Sequence, residues 1–304
     1  MSLGKPFDRT QGKVSVVIPS CNEGENLVDT AGCILGHASS EDFEIVVVDD
    51  GSTNGSGERV SRLFGSNGRT RVLQTPGLGV AGARNLGAQA AQGDVLIFLD
   101  AHSYTPPGWI AALIAPLADP QVGMVGPAFA SLQHGNDVQG LGVMWRDASL
   151  EIEWLPRRSE KPYPVPLLTG GCQVIRRSDF QKLGGYDSGM TRWGSEDQEL
   201  SLRTWLMGYQ LVVQPQVVIY HLFRERHPYL VEESKVLYNR LRMALLHLSL
   251  DRVGRIIDYH KDTPGFSQSV VLLLESDVMT RRRQLEQIRQ RDDGWFFAQF
   301  GRQI

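Results

Sequence analysis

The feature that most constrains this chain is residues 94–102, which read Asp-Val-Leu-Ile-Phe-Leu-Asp-Ala-His. The apolar run is typical of a strand buried on both faces of a parallel sheet. Because residues two apart in an extended segment point the same way, Asp100 and His102 can face one point beyond the strand. Ligands of open α/β sheets bind at this edge, so the pair is half of a candidate divalent-metal site. The alternative is an Asp that caps the next turn beside an unrelated His.

Strands and helices alternate through the first part of the chain. The sequence predicts strands at 14–18, 44–48 and 71–74, and helices at about 26–37, 60–64 and 81–92. This alternation indicates βαβ units and a parallel sheet. The polar pairs that follow the strands, Asn22-Glu23, Asp49-Asp50 and Asp100-x-His102, are therefore expected to meet at one edge.

The second part of the chain has a less regular pattern. The sequence predicts a helix at 107–118, a helix that ends near 207 and helices from about 229 onward. It also predicts strands at 122–127, at 211–213 and at 217–220, and a strand that ends at 175. Residues 128–168 are expected to form irregular strands and loops that shape a cleft. Gly170 and Gly171 precede a strand, where glycines allow the backbone to approach a ligand closely; a β-bulge is the alternative.

Composition limits the class of protein. The chain has 304 residues, 41% of them hydrophobic, and a formal charge of −3, which gives no reason to expect nucleic acid as a partner. Its three cysteines are widely spaced with no C-x-x-C pair, which argues against a disulfide framework and favours a reducing, cytoplasmic compartment. We also expect no transmembrane segment and no signal peptide, since no apolar run of suitable length is present.

Residues 77–82, Gly-Leu-Gly-Val-Ala-Gly, match the G-x-G-x-x-G pattern of dinucleotide-binding folds. That motif belongs to the first βα turn, whereas two strands precede it here, and Pro76 interrupts the passage from strand to turn. A dehydrogenase would also leave the acidic and histidine residues without roles. We therefore reject this interpretation, and we interpret Arg84, in the following helix, as a cation that faces a phosphate.

Several motifs together resemble a known family. Val-Ile-Pro-x-x-Asn-Glu, Val-Val-Asp-Asp-Gly-Ser, Gly-Ala-Arg-Asn-x-Gly and Phe-Leu-Asp-x-His, in this order, resemble the nucleotide-sugar-binding half of family 2 glycosyltransferases. The segments 193–208 and 221–229 are similar to the Trp-Gly-Gly-Glu-Asn block and the metal-histidine segment of the polypeptide N-acetylgalactosaminyltransferases. The resemblance implies an α/β protein of the GT-A fold, with a mostly parallel central sheet flanked by helices over residues 13–230. Residues 231–304 are expected to be a C-terminal helical extension packed on it.

The resemblance also implies a metal site and a donor. Asp100, His102 and His221 would be the metal ligands. Two nitrogens and one carboxylate favour Mn²⁺, with Mg²⁺ possible, because Mg²⁺ prefers oxygen. The donor would be a UDP-sugar that carries a hexose or an N-acetylhexosamine.

The resemblance assigns further residues to the donor. These are Pro19 and Glu23 lining the uridine pocket, Asp50 accepting from the uracil N–H, Arg84 and Asp100 beside the nucleotide, Gly170 and Gly171 at the sugar, Trp193 at the sugar and the acceptor, and Arg224, His227 and Tyr229 over the diphosphate. Asp49 and Asp50 could both cap a helix. We expect them to have different roles, one structural and the other in binding the base. Residues 222–229 are expected to be a mobile lid, the alternative being a rigid connector in which Arg224 pairs with a carboxylate.

Glu196 and Asp197 are the candidate catalytic residues. The resemblance to the N-acetylgalactosaminyl enzymes implies retention of anomeric configuration, whereas plain family 2 enzymes invert, and then one of these carboxylates would deprotonate the acceptor. We expect no lectin module or signal anchor, and Ser195 replaces a family glycine, so the acceptor stays open among a saccharide, a small molecule and a peptide. Rival interpretations are a sugar-nucleotide-binding protein without turnover and a nucleotidyltransferase; the latter lacks its Gly-rich phosphate loop after the first strand.

Overall fold

The first part of the molecule follows the predicted alternation. The structure is a computed structural model that describes residues 12–38, 42–133, 138–224, 226–302 and 304. Its first elements are β1 (Val14–Ser20), α1 (Glu25–His37), β2 (Phe43–Asp50), α2 (Ser56–Phe64), β3 (Thr70–Thr75), α3 (Val80–Ala90) and β4 (Val95–Leu99). Each predicted strand and helix of this part is confirmed, and the strand ends carry their polar residues to one edge.

The remaining elements complete the sheet and cover it. They are β5 (Ser103–Tyr104), α4 (Trp109–Ile114), β6 (Val122–Ser131), β7 (Val138–Gly140), β8 (Val143–Trp145), β9 (Ile152–Trp154), β10 (Tyr163–Pro164), β11 (Cys172–Arg176), α5 (Arg177–Leu183), α6 (Glu196–Leu206) and β12 (Gln210–His221). The C-terminal helices are α7 (Glu233–His247), α8 (Leu250–His260), α9 (Phe266–Glu275), α10 (Val278–Ile288) and α11 (Asp293–Phe300).

The central sheet is mixed, with two parallel sets of strands joined by an antiparallel strand. Its main path is β10-β12-β6-β11-β4-β1-β2-β3, with β5 beside β12 and β7 beside β6. The neighbours β4, β1, β2 and β3 are parallel, as predicted, and so are β6 and β12, but β11 runs antiparallel to both β4 and β6. β11 lies between the two parallel sets and runs against both, which makes the predicted, largely parallel sheet a mixed one.

The core lies on both faces of this sheet. Side chains alternate along β4: Leu96 and Phe98 belong to one hydrophobic cluster, and Ile97 and Leu99 to the other. All five residues of β4 are fully buried. Burial on two faces explains the uninterrupted apolar run in the sequence.

The two strands predicted at 211–213 and 217–220 are one strand in the structure. β12 runs from Gln210 to His221 along β6, and its register shifts between Gln214 and Val218. Pro215 lies within this shift and has no N–H to donate to the ladder. The proline therefore interrupts the pairing but not the strand, which delivers His221 to the site.

The C-terminal helices pack on the rest of the chain. α7 contacts α6, α8, α9 and α10. Phe296 and Phe297 of α11 are fully buried and lie near Trp145, so the aromatic tail docks on the core. The division into domains at residue 230 stays a prediction. Among the described helices, none combines the length and apolar character that crossing a bilayer requires.

Candidate active site

Three potential metal ligands meet at the edge of the sheet. Asp100 follows β4, and β5 pairs with the end of β12 so that Ser103 lies opposite His221. This pairing brings His102 beside His221, with their ring centroids 4.6 Å apart. One ligand atom each from Asp100, His102 and His221 lies within 4.8 Å of the others. The predicted set of ligands is therefore a single cluster.

The protonation of this cluster suits a cation. Although burial opposes ionisation, the hydrogen bond with His221 and the charge of Arg84 hold the pKa of Asp100 well below its usual value. Burial lowers the pKa of His221, which favours the neutral imidazole. The Nδ1 atom of His221 is buried and has no hydrogen-bond partner among the described residues. An ionised carboxylate beside a neutral imidazole is the state in which such groups bind a metal ion.

Arg84 ties three parts of the site together. Its side chain is buried and donates to Glu196 Oε1 at 2.9 Å, to Asp100 Oδ1 at 3.0 Å and to the carbonyl of Gly170 at 2.8 Å. The sequence suggested a cation facing a phosphate, whereas the structure shows a guanidinium bound to two carboxylates. Its main role here is to orient Asp100 and Glu196; contact with a nucleotide stays a prediction.

Glu196 and Asp197 begin α6 and line the same pocket. Glu196 Oε2 accepts from the Gly194 N–H at 3.0 Å, and Asp197 Oδ2 accepts from the Gly170 N–H at 2.7 Å. Burial and the neighbouring negative charge raise the pKa of Glu196. Burial also raises the pKa of Asp197. The two carboxylates are thus close together, largely enclosed and already hydrogen-bonded.

Asp49 and Asp50 point in opposite directions, as the alternation of a strand requires. A Cβ on Gly57, in the first turn of α2, would lie 2.3 Å from Asp49 Oδ2, so Asp49 packs tightly against that helix. Asp50 lines the pocket and accepts from the N–H groups of Leu78 at 2.6 Å and Gly79 at 2.8 Å. As expected, one of the two residues faces a helix and the other faces the pocket. The contact of Asp50 with uracil stays a prediction.

The space beside the glycine-rich turn before α3 is filled by another segment of the chain, around Arg192. The N–H of Val80, at the start of the helix, donates to the carbonyl of Arg192 at 2.8 Å. A Cβ on Gly79 would lie 2.7 Å from the backbone N of Arg192. Gly79 is thus needed for packing against the 191–195 loop, which agrees with rejecting the dinucleotide interpretation.

The two glycines before β11 also have a packing role. A Cβ on Gly170 would lie 2.8 Å from Arg84 Nη2, and one on Gly171 would lie 2.8 Å from the ring of Phe129. The sequence suggested that the backbone here approaches a sugar. The structure shows that these glycines make room for two side chains of the site, and the contact with a sugar stays a prediction.

Residues 222–229 contribute to the same pocket. Arg224 forms a two-pronged ion pair with Glu23, with Nη1 3.1 Å from Oε1, and Glu23 Oε2 lies 3.4 Å from His102 Nδ1. The ring of His227 packs on Trp193 at 4.4 Å between centroids, and Tyr229 follows it. This is the geometry of the rigid-connector alternative, in which Arg224 pairs with a carboxylate. Glu225 lies outside the described residues, and movement of the segment stays a prediction.

Pro19 and an aromatic group complete the pocket. Pro19, in β1, lines it as predicted. Around His221 lie Phe129 at 6.0 Å and Phe223 at 4.7 Å between centroids, with Trp154 packed against both. The sequence reasoning missed these aromatic residues, because it described 128–168 only as aromatic and irregular. The signal that was available is the spacing of Phe223 two residues after His221.

Comparisons with known proteins agree with this geometry. The family model described as "Glycosyl transferase family 2" matches residues 15–184, more than half of the chain, and the model described as "N-terminal domain of galactosyltransferase" matches residues 157–228. Polypeptide N-acetylgalactosaminyltransferase 6 of Mus musculus is 32% identical over 307 residues, which cover 93% of this chain and 48% of the mouse protein.

Two further proteins are similar to this chain. Putative polypeptide N-acetylgalactosaminyltransferase 13 of Drosophila melanogaster is 32% identical over 72% of this chain and 43% of its own length. The crystal structure of GalNAc-T7 with UDP, GalNAc and Mn²⁺ superposes with a TM-score of 0.80 at 26% identity, covering 97% of this chain and 58% of that one. The chain spans about half the length of the curated relatives it matches. The fold is GT-A, and the chain belongs to glycosyl transferase family 2.

Proposed function

We propose that this protein transfers a hexose or N-acetylhexosamine from a UDP-sugar to an acceptor hydroxyl with the help of Mn²⁺. The observation that carries the proposal is the cluster of Asp100, His102 and His221, which opens into the same pocket as Asp50 and Glu196. The similar GalNAc-T7 structure, which contains UDP, GalNAc and Mn²⁺, supports it.

The donor set fits a divalent ion. Asp100, His102 and His221 would hold it, since they offer one carboxylate and two imidazoles within a short distance of one another. Two nitrogen ligands favour Mn²⁺ over Mg²⁺. When bound, the ion neutralises negative charge on the diphosphate leaving group.

Residues of the chain would position the carboxylates, bind the diphosphate and shield the donor from water. Arg84 keeps Asp100 and Glu196 in place through its hydrogen bonds. Arg224 offers its charge to the diphosphate, and His227 and Tyr229 shield the donor from water. Trp193, at the rim with 37% of its surface exposed, supplies an aromatic face for a sugar or an acceptor.

The resemblance to the N-acetylgalactosaminyltransferases favours retention of anomeric configuration. Each oxygen of Glu196 and of Asp197 already accepts a hydrogen bond, from Arg84, Gly194, Gly170 or Gln198. Each oxygen keeps a second lone pair for an acceptor proton, so an inverting transfer with one of these carboxylates as the base is the alternative. Proton NMR of the first-formed product reports the anomeric configuration, and an inverted product would contradict this part of the proposal.

Two measurements test the proposal as a whole. Calorimetry of UDP with and without Mn²⁺ should show much tighter binding with the ion, and equal affinity in both would overturn the metal assignment. A donor screen scored by UDP release, with serine and threonine peptides, saccharides and small alcohols as acceptors, then identifies the sugar and the acceptor class. Binding of UDP without release from any donor would instead identify a binding protein without turnover.

A further inference from the structure

The loop that leads into α6 has an unusual backbone. Arg192, Gly194 and Ser195 have φ angles of 47°, 106° and 67°, so two residues with side chains adopt the left-handed region. Such conformations persist only where the surrounding structure holds them. This loop, residues 191–195, carries Trp193 and leads directly to Glu196. Whatever fixes its backbone also fixes two residues of the candidate active site.

A single side chain from the C-terminal helices makes most of the contacts that hold this loop. Asn239 of α7 is 1% exposed. Its Oδ1 accepts from the Thr191 N–H at 2.8 Å, and its Nδ2 lies 2.7 Å, 3.2 Å and 3.0 Å from the carbonyl oxygens of Thr191, Trp193 and Gly194. An amide offers two donor hydrogens and an acceptor oxygen. Here both the oxygen and the nitrogen of the Asn239 amide form hydrogen bonds with this loop.

Neighbouring residues of α7 hold the segment just before the loop. Tyr238 Oη donates to the carbonyl of Gly189 at 2.8 Å, and Arg242 pairs with both oxygens of Asp187 at 2.6 Å and 3.0 Å. α7 thus binds the chain from Asp187 to Gly194 by side chains that do not enter the pocket. Both family-model matches end before α7 begins.

We propose that Asn239 is a positioning residue for the candidate active site. It sets the backbone of the 191–195 loop, so that the Gly194 N–H meets the Glu196 carboxylate and Trp193 lies at the pocket rim. The effect on turnover rests on the proposed function, whereas the effect on the loop does not. C-terminal helices outside the matched family models are then part of the working enzyme.

Hydrogen exchange of the full-length chain tests this directly. In Asn239→Ala the amides of residues 191–196 should exchange about tenfold faster, because the loop loses its buried hydrogen bonds. UDP release in the presence of Mn²⁺ should fall about 100-fold, as small misplacements of catalytic groups do, while the affinity for UDP is kept. Ser269→Ala is the matched control: Ser269 is fully buried and donates to the Ser234 carbonyl, away from the pocket.

The outcomes separate the possibilities. Unchanged exchange in 191–196, or an equal rise in Ser269→Ala, would overturn the proposal. If Asn239→Ala loses cooperative melting, Asn239→Ser replaces it in the same assays; if both do, Asn239 holds the whole fold and the proposal is wrong. A wild-type protein that releases no UDP from any donor would refute the proposed function, and the exchange result would still decide the role of Asn239.

Discussion

Charged side chains at this site are paired with one another. Arg84 holds Asp100 and Glu196, and Arg224 holds Glu23. Removing one partner of a buried pair leaves an uncompensated charge, which costs more than the pair contributes. A diphosphate that recruits Arg224 must therefore take it from Glu23, so the state of this pair couples nucleotide binding to the segment that carries Arg224.

We expect His102→Ala to lose metal binding and little else. The His102 side chain is partly exposed, and Glu23, which lies 3.4 Å from its Nδ1, keeps its ion pair with Arg224 when the ring is removed, so the change leaves few unsatisfied groups. Calorimetry should show Mn²⁺ binding weakened more than about 10-fold, as expected when a metal ligand is lost. His247→Ala is the contrast, because His247 is buried against Glu199 at 2.7 Å. That variant should lose about 1–3 kcal/mol of stability and keep its affinity for Mn²⁺; the reverse pattern would contradict the assignment.

The neighbours Asp49 and Asp50 give a second test at this scale. Asp50→Asn turns one acceptor of the pocket into a donor, so we expect weaker UDP binding and a reduced preference for UDP over GDP and TDP. The loss should be about 1.5–3 kcal/mol, the range of a hydrogen bond to a charged group. Asp49→Asn, on the other face of β2, should lower the melting temperature and leave the preference intact. A wild-type preference for GDP in calorimetry would show that the uridine assignment is wrong.

At the scale of elements, the described residues of 222–229 are joined to the pocket by a small number of side-chain contacts. Its side-chain contacts with the pocket include Phe223 on His221, Arg224 on Glu23 and His227 on Trp193. A segment held by a few partly exposed contacts opens at low cost. The ion pair between Arg224 and Glu23 does not exclude a lid. A bound diphosphate is negatively charged, as Glu23 is, and would offer Arg224 a second partner.

We therefore expect nucleotide to protect this segment. Hydrogen exchange of residues 222–229 should slow when UDP and Mn²⁺ are added together, because closure excludes water. The exposed helix α9 serves as the internal control and should not change. Equal protection with and without the ligands would identify a rigid connector instead.

The elements show where sequence reasoning succeeds and where it stops. The strands up to β4 were predictable because apolar runs, helices and turns alternate with the βαβ period. β11 was predictable as a strand, but its direction was not, because an apolar run is compatible with both parallel and antiparallel pairing. The continuity of β12 across Pro215 was also missed, because a bulge is set by the partner strand β6 rather than by local preference.

At the scale of the whole molecule, the clustering of the three candidate metal ligands was predictable, and the residues that support them were not. Asp100, His102 and His221 lie at strand ends that carry a recognisable pattern. Arg84 was identified, but its partners were not, because ion pairs between distant segments leave no local signal. The same holds for Asn239, which lies in an ordinary helical sequence.

The aromatic tail gives a test of how far the C-terminal helices support the fold. Phe296 is fully buried, near Trp145 and Phe300. Phe296→Ala should cost about 3–5 kcal/mol in the free energy of unfolding, as large-to-small changes in a core do. Ile288→Ala is the control, since Ile288 is 59% exposed and its loss should stay within about 0.5 kcal/mol. Denaturant unfolding measures both, and similar values would show that the tail is peripheral.

The order of the candidate metal ligands along the chain has a consequence for folding. Asp100 and His221 are 121 residues apart in sequence, and they meet only where β5 pairs with the end of β12. Closing so long a loop is costly in entropy and tends to come late. A chain growing from its N-terminus holds two ligands long before the third exists. We therefore expect tight metal binding only after β12 has joined the sheet, so that the ion binds the finished fold and does not nucleate folding.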